Sequence, residues 1–201
     1  GNQNTAVGVR ALKENTTADD NTAIGCEALR ANTTGSKNVG IGCSALTANT
    51  TASRNTAIGW HALAANTAAE NTAVGSYSLT ANTTGSNNAS FGDMSMYANT
   101  TGQHNTALGY ATLHLNTTAS YNVAVGAQTM ISNTTGANNT AVGNEALKAN
   151  TTGGENAAFG YHALKANTTN NGSTAVGYKA LTANTAAVNT AVGYEAMEAM
   201  T

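Results

Sequence analysis

Proline is absent from this chain of 201 residues, and charged side chains make up only 9% of it. Aromatic residues account for 5%, which excludes a core built mainly from large side chains. The net charge of −2 provides no basic stripe for phosphate backbones. No run of about 18 apolar residues is present that would cross a membrane. We therefore expect neither a nucleic-acid partner nor direct membrane insertion.

What the chain does contain is one repeated unit, which is clearest at residues 139–155, NTAVGNEALKANTTGGE. The units recur every 17 residues, except for intervals of 16 residues after Asn55 and after Ser173. A fixed period of this length predicts a solenoid, in which each coil buries its apolar side against its neighbours. We expect residues 1–201 to be a single array, cut from a longer protein. Coils 1 to 12 open at Asn4, Asn21, Asn38, Asn55, Asn71, Asn88, Asn105, Asn122, Asn139, Asn156, Ser173 and Asn189.

Three positions of the unit hardly vary. Position 4 is always large and apolar, as in Val142, and position 9 is always Leu or Met, as in Leu147. We expect both columns to face the interior. Position 5 is always glycine, which is typical of a sharp corner with a positive φ, and so a strand should end there. The corner glycines are Gly8, Gly25, Gly42, Gly59, Gly75, Gly92, Gly109, Gly126, Gly143, Gly160, Gly177 and Gly193.

The segments between these positions predict the rest of the coil. Positions 2 to 4 alternate as a strand does, with position 3 restricted to Ala, Gly40 or Ser90, and we expect that small face to contact other chains. Residues 145–149 and their equivalents are predicted to form a second short strand. The following Asn-Thr-Thr-Gly segment predicts a turn. Asparagines such as Asn15 and Asn32 should stack there into an amide ladder along the solenoid axis.

The phrase Asn-Thr-Ala-Val-Gly or Asn-Thr-Ala-Ile-Gly, followed by a variable pair and a small residue, resembles the head repeats of YadA-type trimeric autotransporter adhesins. The match extends over all twelve coils, and similar repeats occur in bacteriophage tail fibres. The resemblance implies an all-β, left-handed parallel β-roll that associates as a homotrimer. It also implies an extracellular location, on a bacterial cell surface or a virion. The period of this chain is longer than that of the family, and the extra residues lie in the Asn-Thr-Thr-Gly turn.

Cys26 and Cys43 both occupy position 6 and lie one period apart. Stacked coils would bring their backbones to about 4.8 Å, within the reach of a disulfide. The alternative is that the two cysteines are small apolar fillers, since the same column also accepts Val9 and Ser76.

Position 6 also collects most of the large aromatic residues, with Tyr77 one place later. Such a column suits either a recognition surface for a host protein or glycan, or packing between the chains of an oligomer. The members of this column are Trp60, Tyr110, Tyr161, Tyr178 and Tyr194.

No group of residues in the sequence is arranged for catalysis, for a metal or for a cofactor. His61, His104, His114 and His162 lie on four separate coils, and we expect them to be solvated. The sequence thus predicts a non-enzymatic shaft or head of an adhesin or tail fibre, which acts by rigid extension and repeated display. The alternatives are an ice-binding solenoid and a self-assembling extracellular filament.

Overall fold

The computed structural model describes residues 1–199 and is an all-β parallel solenoid. Twelve three-residue strands, β1 to β12, stack in chain order into one parallel sheet. The register follows the repeat, so Ala141 of β9 pairs with Ala124 and Ala158. The predicted all-β parallel solenoid and its period of about 17 residues are confirmed. The strands are Thr5–Val7, Thr22–Ile24, Val39–Ile41, Thr56–Ile58, Thr72–Val74, Ala89–Phe91, Thr106–Leu108, Val123–Val125, Thr140–Val142, Ala157–Phe159, Thr174–Val176 and Thr190–Val192.

The apolar interior of a coil is formed by positions 3, 8 and 9. In coil 9 these are Ala141, Ala146 and Leu147, all fully buried, so the prediction for position 9 is confirmed. The interior is narrow: a Cβ atom added to Gly40 would lie 3.2 Å from Cγ of Leu29 in the preceding coil. This closeness explains why position 3 accepts only Ala, Ser or Gly.

Position 4 faces outward, and our prediction of an interior column was wrong. Val7 is 58% exposed and Leu108 is 50% exposed. Successive side chains of a strand point to opposite faces, so positions 3 and 4 cannot both face the interior. Only the small residue of position 3 fits there. The predicted contact of position 3 with other chains is wrong for the same reason. The outward residues form what we call the outer apolar column: Val7, Ile24, Ile41, Ile58, Val74, Phe91, Leu108, Val125, Val142, Phe159, Val176 and Val192.

The predicted second strand is replaced by consecutive turns. In coil 9, Gly143, Glu145 and Leu147 have φ values of 139°, 56° and 51°, which confirms the glycine corner and adds two left-handed residues after it. A left-handed conformation costs a residue other than glycine about 1–2 kcal/mol. Backbone hydrogen bonds to both adjacent coils offset this cost: the N–H of Glu145 donates to Ala127, and that of Leu147 donates to Ala163. The prediction failed because such a narrow coil must reverse direction within a few residues.

The predicted amide ladder is present at position 12. Nδ2 of Asn116 donates to Oδ1 of Asn99 at 2.8 Å, and Nδ2 of Asn133 donates to Oδ1 of Asn116 at 3.0 Å. Each amide also donates within its own turn, as Asn116 does to the carbonyl of Ala119 at 3.1 Å. These three asparagines are inaccessible to solvent, so the ladder is a polar part of the core.

A second ladder, which we did not predict, is formed by the asparagines that open the coils. Nδ2 of Asn139 donates to the carbonyl of Gly153 at 2.9 Å and thereby closes its own coil. Its Oδ1 accepts the backbone N–H of Asn156 at 3.0 Å and joins the next coil. The recurrence of Asn at position 1 was the signal for this role, because one amide supplies both the donor and the acceptor.

The two 16-residue coils interrupt these ladders. Asn49 Oδ1, Asn55 Nδ2 and Asn167 Oδ1 are buried without a hydrogen-bond partner, and each lies in a short coil or next to one. In coil 4 the amide of Asn66 donates to Ala68 rather than to a residue three places on. The missing turn residue has therefore displaced the carbonyl that Asn55 would otherwise reach.

Candidate recognition surface

Formal charge is distributed unevenly along the solenoid. Residues 71–144, which form coils 5 to 8 and the first strand of coil 9, include one charged side chain, that of Asp93. The eight lysines and arginines and the other acidic residues all lie in the coils on either side. The middle of the array is thus nearly free of charge.

An aromatic group lies where the charged coils give way to this neutral region. We call it the central aromatic cluster; it comes from positions 6, 7 and 10, on the side of the coil that follows the glycine corner. Ring centroids are 4.7 Å apart for Trp60 and Tyr77, 6.1 Å for Tyr77 and Tyr97, and 5.2 Å for Tyr97 and His114. The members are Trp60, His61, Tyr77, Tyr97 and His114.

The rings of this cluster are not stacked into one column. Trp60 lies at 86° to His61 and at 67° to Tyr77, whereas His61 and Tyr77 are nearly parallel. A crossed neighbour covers less of a ring face than a parallel one. Trp60 remains 47% exposed and Tyr97 remains 38% exposed.

Two histidines add polar atoms to the cluster. Nδ1 of His114 lies 3.1 Å from the carbonyl oxygen of Met94. A carbonyl can only accept, so this contact places the ring proton on Nδ1 and leaves Nε2 as an acceptor in the neutral ring. His61 and His114 are half-buried against tyrosine rings, rather than fully solvated as we expected.

The position-6 aromatics divide into separate groups. Tyr161, Tyr178 and Tyr194 form a stacked column, with centroid distances of 5.4 and 5.1 Å and ring planes within about 11° of parallel. Trp60 joins the central cluster instead. Among residues 1–199, Tyr110 pairs with no other ring, although it is 51% exposed. Tyr178 thus lies between two parallel rings, whereas Tyr194 has one such neighbour and is 74% exposed.

Glu145 is the centre of a charged cluster on coils 9 and 10. Its carboxylate lies 2.6 Å from Nζ of Lys148, 2.7 Å from Nζ of Lys165 and 2.9 Å from Nε2 of His162. Hydrogen bonds from Lys148 and then Lys165 lower the pKa of Glu145 to about 2. Burial, followed by the charge on Lys165, lowers the pKa of His162. The imidazole is therefore neutral at pH 7, and the lysines carry the positive charge.

An open groove of about 580 Å³ adjoins this charged cluster. Its lysines are Lys148 and Lys165, which pair with Glu145, and Lys179, whose Nζ lies 3.4 Å from Glu198. Lys148 and Lys165 share the carboxylate of Glu145, whereas Lys179 contacts both Glu195 and Glu198, so three lysines and three glutamates leave the groove without a net positive charge for an anionic ligand.

The two cysteines are exposed and unbonded in this structure. They lie on adjacent coils, where the carbonyl of Cys26 accepts the N–H of Ser44 at 2.9 Å. Desolvation and then the neighbouring Cys43 thiol raise the pKa of Cys26. The disulfide between them remains a prediction.

The remaining histidine, His104, stacks on Tyr121 in the turn region, at a centroid distance of 5.1 Å. Within residues 1–199, no three His, Cys, Asp or Glu side chains are grouped closely enough to hold a metal ion. The same part of the chain contains no helix long and apolar enough to cross a membrane.

No protein-family model, no curated protein and no solved structure matches this chain.

Proposed function

We propose that this chain is the rigid shaft or head of an extracellular adhesin or phage tail fibre, in which three copies associate side by side. The observation that carries the proposal is the outer apolar column, which runs along all twelve strands on one face of the sheet. Soluble monomers rarely expose a continuous apolar surface of this kind unless a partner covers it. Three identical columns around a common axis would shield one another from water.

Rigidity is the property that such a shaft requires. Strands about 4.8 Å apart give an array of twelve coils a length of roughly 58 Å. Adjacent coils are joined by backbone hydrogen bonds and by amides such as those of Asn116 and Asn139. A coil cannot bend away from its neighbour without breaking several of these bonds together. The repeat therefore supports a role in spacing and display.

Light scattering at several protein concentrations tests the association. We expect one fixed mass near three times 20.1 kDa. The double variant Ile58→Glu with Val142→Glu places charges on the outer apolar column and should yield monomers, because a buried unpaired carboxylate is costly. Val188→Glu is the matched control, since Val188 is 77% exposed outside the column, and it should leave the mass unchanged. A monomer from the unmodified chain would reject the trimer, and a mass that climbs with concentration would favour the filament.

Ice binding is a second candidate, because Thr140 and Val142 face outward together from one face of the parallel sheet, as their equivalents do. Position 2 is not uniformly threonine, however, since Val39 and Ala89 also occupy it. The threonines of position 13 form no free array: Oγ1 of Thr134 donates to the next coil at 3.0 Å. A monomer that shows thermal hysteresis would favour this candidate over the adhesin or fibre.

A further inference from the structure

We propose that the central aromatic cluster is a binding site for neutral oligosaccharides. Such an oligosaccharide would be the ligand in the adhesive role proposed above. The site rests on that proposed function only because both require a partner outside the chain. It does not depend on how many copies associate, because the cluster follows the glycine corner and lies off the β-face of the outer apolar column.

Lack of charge is the first argument. From Asn71 to Asn144, Asp93 is the one residue with a formal charge, and His114 accepts at Nε2 when neutral. An anionic ligand would lose hydration here and would meet only the like charge of Asp93, which is at position 6 of coil 6, in the column of Trp60, whereas a neutral sugar has no such penalty. The lysine groove beside Glu145 offers no alternative for acidic sugars, since its three lysines contact three glutamates and the group has no net charge.

Ring geometry is the second argument. A pyranose has an apolar face of C–H groups, and it packs best on an open aromatic face. Trp60 is crossed with both of its neighbours and is 47% exposed, whereas Tyr178 is 40% exposed and lies between two parallel rings. Trp60 and Tyr97 lie on coils 4 and 6, so successive sugar units can lie along the axis over several coils.

Polar groups at the edge of the rings are the third argument. Sugars present hydroxyl groups around their apolar faces, and a site for them needs donors and acceptors beside its rings. The hydroxyls of Tyr77 and Tyr97 and the Nε2 atom of His114 provide these groups within the cluster.

The first experiment uses the intrinsic fluorescence of Trp60, the single tryptophan of the chain. The protein is titrated to millimolar concentrations with chitohexaose, cellohexaose and lacto-N-tetraose, and in parallel with sialyllactose as an acidic sugar. We expect at least one neutral oligosaccharide to change the emission in a saturable way and to protect Trp60 from acrylamide quenching. No saturable response to the neutral sugars, or a response to sialyllactose alone, would overturn the proposal.

Variants locate the binding site. Tyr97→Ala should weaken binding about tenfold, as measured by the fluorescence of Trp60. Trp60→Ala should weaken binding at least as much, as measured by calorimetry. Tyr178→Ala removes a tyrosine from the stacked column and should leave the affinity unchanged. Equal losses from Tyr97→Ala and Tyr178→Ala would contradict the assignment.

Light scattering on the same samples separates the two proposals. Sugar binding by a monomer would support the sugar site and reject the trimer, whereas a trimer that binds no sugar would support the trimer and reject the sugar site.

Discussion

The side-chain oxygen of Asn55 accepts the backbone N–H of Asn71 at 2.9 Å, while the amide nitrogen of the same side chain has no partner. In full-length coils that nitrogen reaches a carbonyl in the turn, as Asn139 does at 2.9 Å. Coil 4 lacks one turn residue and loses this contact. Coil 11 is equally short, and it opens with Ser173, whose Oγ accepts the N–H of Asn189 at 3.3 Å. Serine keeps the acceptor and omits the amide donor that would be left unpaired.

Asn55→Ser should therefore stabilise the protein, by about 1 kcal/mol, because a buried donor without a partner is removed. Chemical denaturation measures the change in the free energy of unfolding. The reciprocal change, Ser173→Asn, should destabilise by a similar amount. Asn139→Ser is the control in a full-length coil, where the loss of the bond to Gly153 should be destabilising. If Asn55→Ser and Asn139→Ser were equally harmful, the missing turn residue would not be the cause.

Gly143→Ala should lower the free energy of unfolding by about 3 kcal/mol, since few residues other than glycine adopt its φ of 139°. The added Cβ would also lie 2.3 Å from the carbonyl oxygen of Gly160. Thermal unfolding followed by circular dichroism checks the effect. Gly172→Ala is the comparison, because its φ is 70° and its closest new contact is Val188 at 3.8 Å. A smaller loss at Gly143 than at Gly172 would contradict the account of the corner.

Glu145 should make stability depend on pH in the acidic range. Its pKa of about 2 in the folded chain lies below the usual 4.5. The contribution is therefore fully present above pH 4.5 and is lost as the pH falls towards 2. Glu145→Gln should lower stability at neutral pH by about 1 kcal/mol and flatten the profile below pH 4.5. Glu155→Gln, in the same coil but outside the cluster, should keep the slope, and an unchanged slope in Glu145→Gln would refute the assignment.

Cys26 and Cys43 are expected to form an intramolecular disulfide under mild oxidation. Loss of both titratable thiols, together with a monomeric band in non-reducing denaturing electrophoresis, would establish the bond. The bond would close a loop of one coil and should add about 3 kcal/mol to the free energy of unfolding. Cys43→Ser provides the control, which should show no gain on oxidation. Thiols that remain titratable, or crosslinked dimers, would contradict the prediction and leave the cysteines as apolar fillers.

Much of the fold follows from the repeat. The invariant glycine of position 5 and the Leu or Met of position 9 marked the corner and the core, as Gly143 and Leu147 show. The recurring asparagine of position 12 marked the amide ladder. These features are predictable because each depends on one residue type that recurs at one position in stacked coils.

The aromatic cluster was only partly predictable. Trp60 was predicted as a recognition residue because it belongs to the aromatic column of position 6. Tyr97 and His114 lie at position 10, and we did not group them with Trp60. The signal lay in the spacing: Tyr77 and Tyr97 are separated by 20 residues, one period plus three. That offset indicates a contact only once the turns after the glycine corner are known to bring position 7 close to position 10 of the next coil.

By itself, the sequence determined the period, the parallel register and the opposition of Ala141 to Val142 on the two faces of a strand. It did not determine which face is inside, because alternation specifies only which side chains share a face. The tertiary structure decided this through the width of the coil. Left-handed residues such as Glu145 and Leu147 turn the chain back so closely that only an alanine fits beneath the leucine. The large residues of position 4 were thereby left outside, where they form the outer apolar column.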